Sequence, residues 1–254
     1  MILPRTPSFR LDGRRALVTG AGRGIGLAAA AALAQAGAHV TLAARSADEI
    51  GAAAAAIRAE GGIADPRPLD VTDLNAVALL ADAPPFDILV NNAGTNRPKP
   101  IHDVSEADYD AVLGLNLKAA VFVAQAVARG LVSAGRPGSL IHIGSQMGHV
   151  GGPGRTLYCA SKWALEGFSK ALALDLASAG IRSNIIAPTF IETPLTAPFL
   201  ADPAFRASVL AKIKLGRIGQ VEDMMGAVVY LASDASALVT GTSLLVVDGG
   251  WTAE

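Results

Sequence analysis

The stretch TLYCASKWALEGF, residues 156–168, places a phenol and an ammonium four positions apart within an amphipathic helical pattern. Residues four apart lie on the same face of a helix, so Tyr158 and Lys162 are predicted to project together. A free tyrosine has a pKa of about 10, and bringing it to 7 needs about 4 kcal/mol of differential stabilisation, to which a nearby ammonium contributes. The phenol could then exchange a proton with a substrate oxygen while a nicotinamide exchanges hydride with the carbon. On its own, the spacing of Tyr158 and Lys162 is weak support for this chemistry, because Tyr-x-x-x-Lys often occurs by chance.

The elements that must position this pair alternate along the chain. Short runs rich in Val, Ile and Leu are followed by longer alanine-rich helical patterns, from RALVT and IGLAAAAALAQAG at the start to a helix and strand at about 221–247. This alternation is typical of βαβ units, in which helices cover both faces of a parallel sheet. The sequence therefore predicts the α/β class, a doubly wound Rossmann fold with a seven-stranded parallel sheet. It predicts six helices, including long ones at about 106–133 and 157–179.

The length and composition indicate one domain. The 254 residues are 51% hydrophobic and 17% charged, and no linker or repeat divides them. We therefore expect a single domain over residues 1–254 with ample material for a core. The formal net charge is −1. Without a basic excess, neither nucleic acid nor an anionic membrane surface is an expected partner.

The numbers and positions of cysteine and histidine bear on disulfides and metal sites. Cys159 is the one cysteine, which rules out an internal disulfide and suits a reducing, cytoplasmic compartment. The first residues lack the apolar region of a signal peptide, and the internal apolar runs are interrupted before a bilayer-spanning length. The four histidines show no ligand spacing, so we expect no metal.

One long irregular stretch runs from Pro188 to about Leu215. It contains four prolines, which argue against one regular element, and several phenylalanine and leucine residues that could pack. A connection of this length inside a compact domain is usually functional. We predict a substrate lid at about 188–215 that contains a short helix.

A glycine-rich turn follows the first predicted strand. ALVTGAGRGIGLAAAAAL places Gly20, Gly22, Gly24 and Gly26 between a strand and a helix, with the spacing T-G-x-x-x-G-x-G rather than G-x-G-x-x-G. Glycines permit a tight turn and a close backbone approach, so that the helix N-terminus can bind a pyrophosphate. The turn predicts a dinucleotide site.

The end of the second strand, HVTLAARS, bears on which dinucleotide is bound. An acidic residue there would bind the ribose 2′-hydroxyl of NAD, but the chain has Ala43, Ala44 and Arg45. Together with Arg23 of the glycine turn, Arg45 could bind a 2′-phosphate by charge-assisted hydrogen bonds, which favours NADP(H) over NAD(H). The alternative is that both arginines are simply exposed.

Several further motifs occur in a fixed order: TGAGRGIG, LDVTD, NNAG, LGLNLKAA, IHIGSQMG and YCASK. Together they resemble the short-chain dehydrogenase/reductase family over nearly the whole chain. The resemblance implies a single-domain NAD(P)-dependent oxidoreductase that interconverts a secondary alcohol and a ketone by hydride transfer. It implies a catalytic tetrad of Asn116, Ser145, Tyr158 and Lys162.

The resemblance also implies a role for each tetrad residue. Tyr158 would be the acid or base, and Ser145 would bind and orient the substrate oxygen. Lys162 would lower the pKa of Tyr158 and bind the nicotinamide ribose. Asn116 would hold a water that links Lys162 to solvent.

A cofactor-binding set follows from the same resemblance. Asp70 and Val71 would contact adenine, and the NNAG turn at 91–94 would line the nicotinamide riboside side. Ile191 and Thr193 match positions that contact the carboxamide. The full predicted set is Gly20, Arg23, Gly24, Ile25, Gly26, Arg45, Asp70, Val71, Asn92, Ala93, Gly94, Tyr158, Lys162, Pro188, Thr189, Ile191 and Thr193.

The chain departs from the family pattern at one point and follows it at the C-terminus. Pro188 and Thr189 occupy positions where the family commonly has Pro-Gly, which could reshape the pocket wall near the nicotinamide. The segment VDGGW, with Asp248, resembles the C-terminal part of family members that are usually tetramers. The resemblance therefore implies a homotetramer packed through the two long helices and the last strand.

The substrate is a small alcohol or ketone that the sequence does not identify. NNAGTNRPKP and VDGGWTAE are similar to bacterial sugar and polyol dehydrogenases of the family, which favours a polyol, a sugar or a sugar acid. The predicted substrate-binding residues are Ser145, Gln146, Met147, His149, Arg155, Tyr158 and Phe190, with Thr95 and Asn96 nearby.

Two other functions remain open. One is reduction of a 3-oxoacyl group on an acyl carrier protein, for which Arg129, Arg136 or Lys99 would supply a patch for an acidic partner. The other, of a different class, is a catalytically silent dinucleotide-sensing protein, against which the intact tetrad argues. Neither the stereochemistry nor the physiological direction can be read from the sequence.

Overall fold

The computed structural model describes residues 1 and 3–253, with residues 245–247 described by their backbone alone. Seven strands form one sheet in the order β3-β2-β1-β4-β5-β6-β7, and every neighbouring pair is parallel. The predicted α/β, doubly wound Rossmann architecture is confirmed. The strands are β1 Arg15–Thr19, β2 His39–Ala44, β3 Ile63–Pro68, β4 Ile88–Asn91, β5 Gly138–Ile143, β6 Ile181–Pro188 and β7 Ser243–Val247.

Nine α-helices occur in the described residues, against six in the prediction. The difference has two sources: the long helix at 106–133 is divided by a π-helical turn at Gly114–Ala119, and two short helices form within the predicted lid. The helices are α1 Gly24–Gln35, α2 Ala47–Ala59, α3 Leu74–Ala78, α4 Glu106–Leu113, α5 Ala120–Ser133, α6 Thr156–Leu176, α7 Ala197–Leu200, α8 Pro203–Leu210 and α9 Glu222–Ala232.

The core lies on both faces of the sheet because successive strand residues point in opposite directions. On β1, Val18 packs in the cluster formed with α1 and α9, whereas Leu17 packs in the cluster formed with α5. Alanines in α1, such as Ala29 and Ala30, are fully buried against the sheet, which confirms the close approach expected of an alanine-rich helix. The central strands β1 and β4 are therefore shielded from water on both faces, as their near-continuous apolar sequences require. The edge strand β3 is largely exposed.

The continuous helical stretch Glu106–Ser133 is long and apolar enough to cross a membrane by length and composition alone. Half of its most apolar window is buried within the domain. In this fold the stretch packs on the sheet, with Val123, Val127 and Leu131 in the core.

The segment at 188–215 is ordered around a small apolar cluster of its own. Leu200, Val209, Ile213 and Ile218 are buried together, and partly buried aromatic rings, among them Phe190, pack against them. The C-terminal segment closes this cluster, since the Leu215 N–H donates to the Gly249 carbonyl at 3.0 Å and the Trp251 ring stacks on Phe190 at 6.0 Å.

The order of the strands reverses direction at β1, since β2 lies on one side of it and β4 on the other. Loops that leave the carboxyl ends of β1 and β4 diverge to opposite faces and open a crevice between them. In this fold such a crevice is where a ligand binds, so the loops after β1 and β4 position the site.

Gly26→Ala is expected to lower the free energy of unfolding by about 1–3 kcal/mol, because a Cβ at this position would lie 2.2 Å from the Gly20 carbonyl oxygen. Gly51→Ala in α2 is the matched control: its Cβ would meet nothing within 4 Å, so it is expected to stabilise by about 1 kcal/mol. Urea unfolding followed by circular dichroism measures both. Equal stability of Gly26→Ala and the wild type would contradict the close packing of this turn.

Candidate active site

The turn between β1 and α1 forms the floor of the crevice. Gly20 and Gly24 have positive φ angles of 63° and 57°, which L side chains rarely adopt. Gly26 lies beneath the turn, and a Cβ there would also approach Asn92 Nδ2 to 2.5 Å. The turn therefore fits a group that must contact backbone N–H groups and the N-terminus of α1, as the pyrophosphate of a dinucleotide does.

The NNAG turn after β4 is tied to this glycine turn by hydrogen bonds. The backbone N–H groups of Asn92 and Ala93 donate to Thr19 Oγ1 at 3.0 and 3.1 Å. The Asn92 amide Nδ2 donates to the carbonyl oxygens of Thr19 and Gly20 at 2.9 and 3.2 Å. These bonds fix the distance between the two loops and hence the width of the crevice.

Most of the predicted cofactor-binding residues line this crevice. Gly26, Pro188 and Ile191 do not: Gly26 packs beneath the turn, Pro188 is buried in β6, and Ile191 is 1% exposed and pairs with Gly219. Thr189 and Tyr158 line a neighbouring cavity instead, and Lys162 is buried beside Tyr158 without lining either space. The predicted residues that line the crevice are Gly20, Arg23, Gly24, Ile25, Arg45, Asp70, Val71, Asn92, Ala93, Gly94 and Thr193.

Charged side chains gather where β2 ends. Arg23 Nη1 lies 3.3 Å from Glu49 Oε1, and Arg45 lies close enough to Asp70 to lower the pKa of that carboxyl. Hydrogen bonds from Thr72 lower the pKa of Asp70 more strongly. Glu49 lines the crevice and was missed by the sequence analysis, because its place in the first turn of α2 looks like an ordinary favourable charge at a helix N-terminus.

The catalytic candidates from β5 and α6 come together as predicted. Ser145 follows β5, and its hydroxyl forms a hydrogen bond with Tyr158 that lowers the pKa of the phenol. Lys162 is 6% exposed, and its Nζ lies 5.7 Å from the centre of the Tyr158 ring. The spacing of four residues therefore places phenol and ammonium on one face of α6 beside Ser145.

The pKa of Tyr158 does not depend on Lys162 in the way the family resemblance implies. Burial raises the pKa of Tyr158, and the groups that lower it are Ser145 and the charge of Arg155, not Lys162. The reason is geometric, because Lys162 Nζ donates to the Ile143 carbonyl at 2.8 Å and lies against the face of the ring. Burial lowers the pKa of Lys162 to about 8.

Asn116 lies in the π-helical turn, a type of irregularity that is frequent at functional sites. Its Oδ1 accepts from the Thr95 N–H at 2.8 Å, and its Nδ2 donates to the Thr95 carbonyl at 2.9 Å and to Ser161 Oγ at 3.1 Å. Both amide hydrogens of Asn116 thus form hydrogen bonds to protein atoms. The side chain has no further hydrogen to donate to the water that it was expected to hold. Asn116 instead joins the loop after β4 to α6, next to Lys162.

A second, smaller cavity opens beside Tyr158 and contains unusual polar groups. Asn96 Oδ1, Thr189 Oγ1 and both polar atoms of Gln146 are buried with no hydrogen-bond partner among the described residues. Burying such atoms without partners costs about 1–3 kcal/mol each, a cost that a polar ligand would offset. The cavity is lined by Asn96, Ser145, Gln146, Met147, Arg155, Tyr158, Thr189, Phe190, Leu195, Thr196 and Phe199.

His149 is the one predicted substrate residue that this cavity excludes. Its Nε2 lies 2.9 Å from Glu166 Oε1 and 3.1 Å from Ser243 Oγ, so the ring is engaged by α6 and β7. The structure therefore places His149 outside the cavity, where it anchors the turn after Ser145, and its partners could not be recognised from the sequence because they are distant along the chain. Asn96, Thr189 and Phe199 line the cavity in its place.

The arrangement can carry out proton transfer next to a bound dinucleotide. A nicotinamide in the crevice would supply or accept the hydride. Tyr158 is positioned to exchange a proton with a substrate oxygen, and Ser145 to bind the same oxygen. Lys162 places a positive charge behind the phenol.

Comparison with known proteins agrees with this geometry. The family model described as "Enoyl-(Acyl carrier protein) reductase", a branch of the short-chain dehydrogenases, matches residues 20–252. The chain belongs to the short-chain dehydrogenase/reductase family. It is an NAD(P)-dependent oxidoreductase that interconverts a secondary alcohol and a ketone by hydride transfer.

Individual members of the short-chain dehydrogenase/reductase family are similar along almost their whole length. The gluconate 5-dehydrogenase of Gluconobacter oxydans is 41% identical over 249 residues, covering 96% of each chain. The L-xylulose reductase of Bos taurus is 37% identical, covering 96% of this chain and 99% of that protein. A solved gluconate 5-dehydrogenase of Burkholderia cenocepacia, in complex with NADP and tartrate, superposes with a TM-score of 0.92 at 39% identity, covering 97% and 98% of the two chains.

His142 gives a prediction for stability. Burial lowers the pKa of this fully buried imidazole to about 4, and the charge of Lys162 acts in the same direction. The unfolded chain, with a histidine pKa of about 6.5, therefore binds a proton that the folded chain does not, so stability falls as the pH drops below 6.5, by about 2 kcal/mol at pH 5. In His142→Gln this part of the pH dependence should be lost. Urea unfolding at pH 7.5, 6 and 5 measures it, and an unchanged slope would contradict a neutral buried ring.

Ser145→Ala is expected to raise the pKa of Tyr158, because the hydrogen bond with Ser145 lowers it. Oxidation of an alcohol needs the deprotonated phenol, so the acidic limb of kcat/KM against pH should move to higher pH. The plateau should fall about 100-fold. Ser145→Thr keeps the hydroxyl and is the control, for which the limb should stay in place. A limb that moves to lower pH in Ser145→Ala would refute this role.

Proposed function

We propose that the protein oxidises or reduces a polyhydroxylated substrate, a polyol, sugar or sugar acid, and prefers NADP(H). The observation that supports this is the cavity beside Tyr158, in which Asn96, Gln146 and Thr189 have buried polar atoms without partners. A substrate with several hydroxyl groups can donate to and accept from these atoms, whereas a hydrocarbon chain would leave them unpaired. The gluconate and xylulose enzymes among the relatives support the same class.

In the proposed reaction Tyr158 takes the proton of the reacting hydroxyl as the hydride leaves the carbinol carbon for the nicotinamide. In the reverse direction the phenol gives its proton to the new alkoxide. Ser145 binds the oxygen on which charge develops, and Asn116 keeps the loop with Thr95 against α6, so that the cavity and the tetrad stay in contact.

Acyl-carrier substrates are the second candidate, and the description of the matching family model favours them. Two of the three basic residues proposed for a carrier patch are engaged elsewhere. Lys99 Nζ lies 2.6 Å from Asp108, and Arg136 lies 2.6 Å from Asp87, so both charges are neutralised within the domain. The polar cavity and these pairs make the polyhydroxylated substrate the better proposal.

A substrate comparison tests the proposed function. The purified enzyme is incubated with aldonates, alditols, ketoses or 3-oxoacyl thioesters, each with NADP(H) and with NAD(H), and nicotinamide absorbance is followed. Turnover of a polyhydroxylated compound is expected. Tyr158→Phe should lower it at least 1,000-fold while the dissociation constant of the nucleotide stays within about threefold. Turnover of 3-oxoacyl thioesters alone would overturn the proposal, and turnover that survives in Tyr158→Phe would overturn the role of the phenol.

The preference for NADP(H) depends on Arg45 and Arg23 at the end of the crevice. Replacing Arg45 by aspartate removes a cation that would bind the 2′-phosphate and adds an acceptor for a 2′-hydroxyl. Arg45→Asp is therefore expected to lower the ratio of kcat/KM for NADP(H) over NAD(H) at least 100-fold. The exposed Arg5→Met, distant from the crevice in sequence and absent from its lining, is the control. A wild-type enzyme that prefers NAD(H) would end this part of the proposal.

A further inference from the structure

Arg155 is the only charged residue among those that line the small cavity, as far as the described residues show. It immediately precedes α6 and is half buried. Its guanidinium carbon lies 5.0 Å from the centre of the Phe199 ring and 6.0 Å from that of Phe190, so two rings of the 188–215 segment hold it at the cavity wall. Aromatic contacts of this kind orient a guanidinium without neutralising its charge.

No carboxylate of the described chain pairs with Arg155. Burial lowers the pKa of its guanidinium, and the groups that act against burial are Tyr158 and Cys159, not an aspartate or glutamate. By contrast, Arg206, Arg217 and Lys99 each form an ion pair at 2.6–2.9 Å. A half-buried cation that keeps its charge without an anion costs free energy unless a ligand provides the anion.

Two further features of the same cavity wall favour an anion. Helix α6 has no side-chain cap and no acidic residue in its first turn, so the positive end of its dipole is not compensated by the chain. Gln146 is 1% exposed, and its Nε2 donor has no partner within the described part of the chain. A cation and an unpaired amide donor thus line one space next to Tyr158, and the uncapped helix begins directly after the cation.

We propose that Arg155, with Gln146, forms a carboxylate subsite that makes the enzyme select sugar acids over neutral polyols and sugars. This inference rests on the proposed function, because it specifies which polyhydroxylated compound the cavity takes. A single guanidinium matches the charge of one carboxylate and can bind it through two parallel hydrogen bonds. A phosphate ester carries nearly two negative charges and would need a second cation, which the described lining of the cavity does not contain.

The kinetic test compares pairs of substrates that differ in the acidic group. For the wild type, kcat/KM with D-gluconate should exceed that with D-glucitol at least 100-fold, and it should also exceed that with D-glucitol 6-phosphate.

In Arg155→Met the gluconate-to-glucitol ratio of kcat/KM should fall at least 30-fold, chiefly through the KM for gluconate. Arg155→Lys keeps a point charge and should give an intermediate ratio, and the exposed Arg5→Met should leave the ratio unchanged. Because Arg155 also lowers the pKa of Tyr158, each ratio is taken on the pH plateau of its own enzyme.

A binding test needs no turnover and separates the two proposals. The enzyme saturated with NADP+ is heated with tartrate, a dihydroxy dicarboxylate, or with threitol, its neutral counterpart, and the Tm is recorded. Tartrate should raise the Tm of the wild type in a concentration-dependent way, threitol should not, and Arg155→Met should lose the response.

The outcomes distinguish failure of the subsite from failure of the function. Loss of gluconate and glucitol turnover by the same factor in Arg155→Met, or equal effects of tartrate and threitol on the wild type, would overturn the carboxylate subsite. A preference for the phosphate ester would overturn it as well. If no polyhydroxylated compound is turned over but tartrate binds through Arg155, the subsite stands and the proposed reaction does not.

Discussion

The hydrogen bonds between Thr19 and the turn after β4 determine how the two halves of the sheet meet. Thr19 Oγ1 accepts two backbone N–H groups from that turn, and the Asn92 amide returns two bonds to the carbonyls of Thr19 and Gly20. Because Gly26 packs against the same atoms, the glycine turn has room for neither a side chain nor a shift of the strand. The dinucleotide crevice, the path of the chain to Thr95 and the position of Asn116 all follow from this contact.

The catalytic side and the binding side of the site are stabilised in different ways. Ser145, Tyr158 and Lys162 are positioned by protein partners, such as the Ile143 carbonyl that receives Lys162 Nζ. The cavity wall differs, since the amide of Gln146 and the hydroxyl of Thr189 are buried polar groups without a hydrogen-bond partner among the residues that the structure describes. Native proteins tolerate such costs mainly at functional sites, where a ligand recovers them.

Much of the fold and the tetrad could be predicted from the sequence, because both depend on local patterns. Apolar runs mark most of the seven strands, although the edge strand β3, IADPRP, is polar and largely exposed. A spacing of four residues is enough to place Lys162 on the face of Tyr158. The failures involve contacts between distant residues. His149 was assigned to the substrate, but it binds Glu166 and Ser243, which are 17 and 94 residues away. The π-helical turn was missed because its sequence, GLNLKA, satisfies an ordinary helical pattern. The ordering of residues 188–215 depends on Trp251, which no local sequence pattern connects to Phe190.

The expected homotetramer remains a prediction from the family resemblance.

The π-helical turn at Gly114–Ala119 sets the rotation of α5 relative to α4. A π turn contains about one residue more than the α-helical turn it replaces, and its wider winding takes up that residue within one rotation. If the same residues formed a regular α-helix, α5 would rotate by about 100° relative to α4. The buried face with Val123 and Val127 would then turn away from the sheet, or Asn116 would turn away from Thr95. Core packing and the site thus share a single register, which the wider turn maintains.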